Sequence, residues 1–355
     1  MRFSTGWVAK SGTARERIMV PPDKADGGGK RPGEFELIEK IFAPLAAGAD
    51  GAYALKDDAA LYRSAPGCET VLTVDAMVAG VHFLPEDPPE SVARKLLRVN
   101  LSDLAAKGAV PKGYLLTTVW AEGTSLEWIE AFASGLESDQ VRYGVTLWGG
   151  DTVKTPGPLT LSLTAIGEVA EGQMIRRGGA RPGDDLYITG TVGDGGLGLM
   201  VLQDKLRGLS AADAAFLCRR YREPDPRTDV GPKLCGIAHA ALDVSDGLMA
   251  DLGHICEVSG VGARVEMDRV PLSEAARAAL DNDAGLVAQI AGGGDDYEIL
   301  FVVPAGKADA IAGIAAETGV PVTRIGSILR ADQGLSAVDG SGRQIPLKQL
   351  GYRHF

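Results

Sequence analysis

Five groups of carboxylates carry the first chemical signal in the 355-residue sequence: Lys56-Asp57-Asp58, Thr73-Val74-Asp75, Gly149-Gly150-Asp151, Asp243-Val244-Ser245-Asp246 and Gly294-Asp295-Asp296. Each follows an apolar run or sits in a glycine-rich turn, where side chains gather at the edge of a sheet. A single surface acid is ordinarily a solvated one. Five groups in the same kind of setting ask for a common cause. Two carboxylates about 4 Å apart repel by about 4 kcal/mol at an effective dielectric of 20, so a converging set needs cations between its members. Short, hard oxygen ligands suit Mg²⁺, and magnesium held by carboxylates usually accompanies a phosphate-bearing ligand. Asp243 and Asp246, three residues apart at a strand-to-helix turn, suit two ligands of one ion; Asp246 equally suits a helix N-cap.

The common nucleotide and nucleophile signatures are missing. Gly27-Gly28-Gly29-Lys30 is followed by Arg31, so no phosphate loop of the G-x-x-x-x-G-K-[ST] type exists. Gly193-Asp194-Gly195-Gly196-Leu197-Gly198 matches G-x-G-x-x-G, but a helix-like stretch from Ala211 to Tyr221 occupies the place of the second strand that a dinucleotide fold requires. These glycines read as a turn and a helix N-terminus able to accept an anion. Ser245 sits in no G-x-S-x-G elbow. The histidines His82, His239, His254 and His354 are too dispersed for an imidazole metal site, and Cys68, Cys218, Cys235 and Cys256 form no C-x-x-C pair. Any metal is therefore expected on oxygen. Acids outnumber bases 47 to 36, and the net charge of −11 argues against nucleic acid or an anionic membrane as the main partner. With no apolar run of membrane-spanning length and no signal-peptide order at the N-terminus, a cytoplasmic location is expected.

The elements that must position these groups follow from periodicity. Residues 1–33 read as a flexible extension rich in Pro, Gly and charge. Phe35, Ile38, Ile41, Phe42 and Leu45 predict an apolar-faced helix. Strands are expected at 70–75, 113–120, 145–149 and 158–169, with helices opening at Pro88-Pro89 and spanning 125–142. Leu159, Leu161 and Leu163 alternate with Thr160, Ser162 and Thr164, one buried and one more polar face. The turn Arg181-Pro182-Gly183-Asp184 marks a change of texture near residue 170. Beyond it, helices are expected at 195–207, 211–222, 227–239, 246–259 and 305–318, and strands at 186–189, 240–244, 262–266, 298–303 and 321–328. That pattern gives domains over 34–169 and 170–355, the second a mixed α/β layer.

Taken in order, Asp57-Asp58-Ala59-Ala60, Thr73-Val74-Asp75 with Val78-Ala79-Gly80-Val81-His82-Phe83, Asn100-Leu101-Ser102-Asp103-Leu104-Ala105, Gly149-Gly150-Asp151-Thr152, Asp243-Val244-Ser245-Asp246-Gly247-Leu248, Gly294-Asp295-Asp296-Tyr297-Glu298 and the terminal Gly351-Tyr352-Arg353-His354-Phe355 resemble the thiamine-monophosphate kinase family, in the aminoimidazole ribonucleotide synthetase-like superfamily. The resemblance implies an α+β, two-domain fold whose N-terminal sheet forms a barrel across a homodimer, beside a C-terminal α/β domain. It implies ATP-dependent conversion of thiamine monophosphate to thiamine diphosphate with several Mg²⁺ ions. By residue, it implies metal ligands at Asp58, Thr73, Val74 through its carbonyl, Asp75, Asp103, Asp151, Asp243 and Asp246. It implies nucleotide contacts at Gly150, Asp151, Arg177 and Ser245, and substrate contacts at His82 and Asp295. The catalytic set would be Asp75, Asp151, Asp246 and Arg177. A structural imidazole at His82 and a surface pair between Arg177 and Glu171 are the plain alternatives. Lys56, Val74, Asp295 and Gln349 depart from the family pattern. An aminoimidazole ribonucleotide synthetase-like ligase and a non-catalytic nucleotide-sensing module are the rival readings.

Overall fold

A computed structural model describes residues 33–346 and Gly351. The expected extension thus falls, apart from Gly33, outside the described residues. So do Gln349 and the last four residues of the terminal motif.

The predicted helix near residue 35 runs through a short α1 (Glu34–Leu37), a π turn over Ile38–Phe42 and a 3-10 turn over Ala43–Ala46, and a further 3-10 turn spans Asp50–Leu55. Leu37, Phe42 and Leu45 pack inward, whereas Phe35 is 82% exposed. The first sheet comes next in the chain, in β1 (Cys68–Val78), α2 (Pro89–Ala106), β2 (Val110–Ala121), α3 (Leu126–Tyr143), β3 (Thr146–Thr155) and β4 (Thr160–Ala170). Proline suits the first turn of α2 because its missing N–H has no helical partner there. Ser125 caps α3 by accepting from the Trp128 N–H. The sheet order is β1-β4-β2-β3, antiparallel except where β2 meets β3. Leu161 and Leu163 are fully buried beneath the helices, while Thr160, Ser162 and Thr164 lie on the opposite face. There Leu72, Val74 and Leu115 are exposed, so one face of this sheet is open and the described residues of one chain close no barrel.

The second sheet is assembled from β5 (Asp185–Thr189), α4 (Asp194–Leu202), α5 (Ala211–Arg222), β6 (Ala240–Asp243), α6 (Leu248–Ser259), β7 (Val261–Glu266), α7 (Glu274–Asn282), α8 (Val287–Gly292), β8 (Ile299–Val303), α9 (Ala308–Thr318), β9 (Val322–Arg330) and β10 (Leu335–Val338). Its order is β10-β7-β9-β5-β8-β6, with β10 and β7 parallel and the other pairs antiparallel. The helix expected at 227–239 is only a 3-10 turn, Gly231–Leu234. Pro232 supplies no N–H, and Gly236 at φ +72° turns the chain away. α7, α8 and β10 have no counterpart among the expected elements, being too short for periodicity to declare. α2 joins the halves: it packs on α3, β1 and β4, and it also reaches β6, β8 and α5. None of the described helices is long and apolar enough to cross a membrane.

Candidate functional site

Strand alternation sends Thr73 and Asp75 of β1 toward α2 and leaves the Val74 side chain on the open face. Asn100 and Asp103, three residues apart and therefore neighbours on α2, receive them. Thr73 Oγ1 donates to Asp103 Oδ2 at 2.5 Å, and the Asp75 N–H donates to Asn100 Oδ1 at 3.1 Å. The last residue of β6, Asp243, brings a third carboxylate from the second sheet. Burial, and then the Asp103 charge, push the Asp243 carboxyl well above its usual range, against the opposing hydrogen bond from Ser102. The same two causes raise Asp75 to about 6. Lys107, one residue beyond α2, donates to the Ala241 carbonyl at 2.8 Å and faces Asp243, Arg177 and Asp103. Thr73, Asp75, Asp103 and Asp243 thus converge where the two sheets meet.

The turn into α6 adds a second acid pair. Asp246 does not cap this helix: Gly247 occupies the cap position, without a side-chain bond. Instead Asp251, one turn inside, folds back so that Oδ2 accepts the N–H groups of Ser245, Asp246 and Gly247, each at 3.0 Å. Sequence reading missed Asp251; a carboxylate in the first turn of a helix was its only signal. Burial and the Asp246 charge lift Asp251 to about 7. Asp246, Asp251 and His254 place ligand atoms within 4.8 Å of one another. The donors here and around Asp103 are mostly hard oxygens, and the Asp75, Asp243 and Asp251 carboxyls are raised by burial and by the charge of a neighbouring acid. A divalent cation relieves both costs, so these residues fit magnesium.

Asp58, Gly150 and Asp151 lie elsewhere. With Lys56 and Asp57 they line a cavity of about 1090 Å³ whose apolar wall includes Tyr62, Leu115 and Trp148. Asp58 and Asp151 are exposed. Gly150 has no room for a side chain, since a Cβ would stand 1.8 Å from the Leu116 carbonyl oxygen. Ahead of this loop, Tyr53, Ala54 and Leu55 hold φ of +50°, +53° and +55°, a left-handed stretch that L-residues adopt only at a cost. In register, Asp151 aligns with Thr117, Ser162 and Ala76. It therefore sits three strands from β1, roughly 14 Å at normal strand spacing, on the face opposite Asp75. Among the described residues, the Asp58 and Asp151 group thus stands apart from the one around Asp103. Arg177 is exposed, on the Asp103–Asp243 side through its effect on Lys107, and forms no ion pair with Glu171. Ser245 is exposed at the turn before α6.

His82, after β1, and Asp295, before β8, are brought near each other by Lys95, which binds the His82 carbonyl and the Asp295 carboxylate. His82 Nδ1 accepts the Val78 N–H at 3.0 Å, which leaves the ring proton of the neutral form on Nε2. Asp295 Oδ1 is 2.9 Å from Lys95 Nζ. The remainder of that acidic motif is structural. Asp296 accepts the N–H groups of Gly193 and Gly195 at 2.7 and 3.0 Å, so the α4 N-terminus that could accept an anion is filled by the chain's own carboxyl group. Burial and the Asp194 charge raise Asp296 to about 8. Glu298 accepts from Thr189, Arg220 and Arg227.

Comparison with known proteins converges on one family. Residues 56–169 match the AIR synthase related protein N-terminal domain, and residues 181–337 match its C-terminal domain. The fold is accordingly the two-domain α+β arrangement of that superfamily, with mixed sheets. A thiamine-monophosphate kinase of Caulobacter vibrioides is 45% identical over 345 residues, 96% of either chain. The crystal structure of a thiamine-monophosphate kinase from Stenotrophomonas maltophilia superposes with a TM-score of 0.74 at 40% identity, over 82% of this chain and 91% of that one. AaThiL complexed with AMPPCP and TMP does so with a TM-score of 0.71 at 29% identity, over 91% and 97% of the two chains. Two matched domain models and 45% identity over 96% of the chain leave one conclusion: the chain belongs to the thiamine-monophosphate kinase family.

Proposed function

We propose that the protein transfers the γ-phosphoryl group of ATP to thiamine monophosphate in the cytoplasm, giving thiamine diphosphate and ADP by direct in-line displacement. The observation that carries this reading is the meeting of Asp75, Asp103 and Asp243 from both sheets around α2. Family membership and the relative complexed with AMPPCP and TMP support it. A phosphate monoester has a second pKa near 6, so the acceptor is already an oxyanion at neutral pH and needs no general base. The chain's task is then to bind, orient and neutralise charge.

In this reading Thr73, the Val74 carbonyl, Asp75, Asp103, Asp243 and Asp246 hold several Mg²⁺ ions with Asp58 and Asp151. When bound, those ions neutralise the phosphates and polarise the transferring group. Gly150, Asp151, Arg177 and Ser245 contact the nucleotide, His82 and Asp295 the acceptor. Two copies pair their open sheet faces into a barrel, each using domains over 34–169 and 170–355. The pairing accounts for the exposure of Leu72 and Val74, and for the placement of Asp58 and Asp151 on the open side, where a partner's site can recruit them. Leu72→Lys puts a charge into that face. It is expected to give a monomer by light scattering with a large loss of turnover; an active dimer would reject the pairing.

Three acceptors test the chemistry. ADP release with ATP and Mg²⁺ is expected with thiamine monophosphate and absent with thiamine or formylglycinamidine ribonucleotide. Response to the last alone would favour the ligase, and response to none the sensing module.

The raised carboxyls give a second test. A carboxyl whose native pKa exceeds its unfolded value holds its proton more tightly when folded, so its contribution to stability falls as pH climbs from about 4 through the native value. For Asp75 and Asp251 that window closes at about 6 and about 7. Magnesium competes with those protons. The rise in melting temperature on adding Mg²⁺ is expected to be large at about pH 8 and small at about pH 5. A rise independent of pH would contradict the ligand assignment.

A further inference from the structure

Lys95, in the second turn of α2, has a side chain only 3% exposed, which a lysine rarely tolerates unless its charge is matched. Here the ammonium is matched on three sides. It donates to Asp295 Oδ1 at 2.9 Å and to the main-chain carbonyl of His82 at 3.1 Å, and it stands 3.7 Å from the centroid of the Tyr221 ring. The Tyr221 hydroxyl donates to the same His82 carbonyl at 3.4 Å. His82 follows β1, Tyr221 lies on α5 and Asp295 precedes β8. One buried cation thus ties together segments from both halves of the fold, two of which carry the residues assigned to the acceptor.

The geometry of Asp295 depends on that tie. Its backbone is left-handed at φ +68°, a conformation aspartate adopts more readily than most residues. Lys95 and the Tyr297 hydroxyl, the latter at 3.4 Å, both approach Oδ1. Oδ2 therefore keeps its capacity to accept a hydrogen bond from a ligand. A carboxylate oxygen takes a donor or a cation. The aminopyrimidine and thiazolium of thiamine monophosphate offer both, whereas a nucleotide's phosphates offer neither.

We infer that Lys95 is a positioning residue for the phosphoryl acceptor, fixing Asp295 and the His82 loop before substrate arrives. The inference rests on the proposed function, since it takes thiamine monophosphate as the acceptor. Holding both segments in advance removes an ordering cost from acceptor binding and leaves nucleotide binding untouched.

Lys95→Met preserves the apolar stem and deletes the charge; Asp295→Asn deletes the partner and keeps the lysine. Each is expected to raise KM for thiamine monophosphate about tenfold or more, as loss of a charged hydrogen bond does, with KM for ATP changed by less than about twofold. Because both variants remove the same contact, the double variant is expected to be no worse than the poorer single one. A merely structural lysine would instead lower the folded fraction without separating the two KM values. Unchanged acceptor KM in the variants, equal rises for both substrates, or additive effects in the double variant would overturn the assignment. If Lys95→Met does not fold, Lys95→Gln decides in its place: a selective rise in acceptor KM upholds the assignment, and any other result rejects it. Wild-type protein without turnover on thiamine monophosphate would instead refute the functional reading beneath it.

Discussion

Asp75→Asn is expected to lower turnover of ATP and thiamine monophosphate by about a hundredfold to a thousandfold, the scale of losing one preorganised electrostatic contact to the transition state. The same change is expected to raise, slightly, the melting temperature of the metal-free protein above neutral pH. Both effects come from one cause. Burial and the Asp103 charge hold the Asp75 carboxyl up to about 6, so ionising it at pH 8 costs the native state free energy. Asparagine removes that cost. It leaves the bond between the Asp75 N–H and Asn100, which belongs to the main chain, and it barely changes side-chain volume. The removed charge is what a divalent ion and its phosphate ligand require, so activity falls while the scaffold gains. Such opposed effects separate a residue kept for function from one kept for folding. Asp246→Asn is expected to lower turnover on the same scale, because Asp246 similarly raises its neighbour Asp251. Steady-state kinetics together with thermal unfolding in chelator check both variants. Near-normal turnover in either, or a clear drop in melting temperature, would remove that residue from the metal site.

The sequence announces the acids of this site better than it announces their arrangement. Strand periodicity around Thr73-Val74-Asp75 and helix periodicity around Asn100 and Asp103 are both strong, and together they predict which side chains can face each other. The contact of Thr73 with Asp103 is the direct result. Asp243 is legible for the same reason, as the last residue of a short apolar strand. What periodicity cannot carry is how strands from distant parts of the chain are ordered. Asp151 and Asp75 read alike in sequence, each a carboxylate at or just past the end of an expected strand. The order β1-β4-β2-β3 separates them by three strands, and opposite parity in the pleat turns them to different faces. Local competition is equally invisible. Asp246 has the spacing of a helix cap, yet Asp251 reaches the same N–H groups from inside the helix. The glycines of residues 193–198 have the spacing of an anion site, yet Asp296 reaches them from another strand's approach. The apolar-faced helix expected near residue 35 is present as one helical run over 34–46 that passes from α to π to 3-10 hydrogen bonding, with Pro44 in its last turn.

Glu298→Ala is expected to destabilise the protein by about 3 to 5 kcal/mol, the usual cost of removing one partner from a buried ion pair. Glu298 has no solvent exposure and accepts from Thr189 Oγ1 at 2.7 Å, Arg220 Nη2 at 3.0 Å and Arg227 Nε at 2.6 Å. Burial opposes its ionisation, but Arg227 and then Arg220 outweigh burial and hold the carboxyl below its ordinary value. A lowered native pKa gives stability that is present above the unfolded value, near 4.3, and is lost as pH falls through the native one. Alanine is therefore expected to flatten the acid limb of the stability profile as well as to lower its plateau. The residual cost lies with the arginines: Arg220 is 4% exposed and retains Asp194, Asp225 and the Asp296 carbonyl to offset its charge. Glu298→Gln, which keeps the shape and one accepting oxygen, is expected to lose less. Because Glu298 adjoins the segment from Asp295 to Tyr297 without touching the converging acids, the folded fraction of either variant is expected to keep most of its turnover at low temperature. Denaturant unfolding across pH, with activity normalised to folded protein, checks this. An alanine variant as stable as wild type would show that the buried arginines find other partners. A stable but inactive one would move Glu298 from the scaffold into the site.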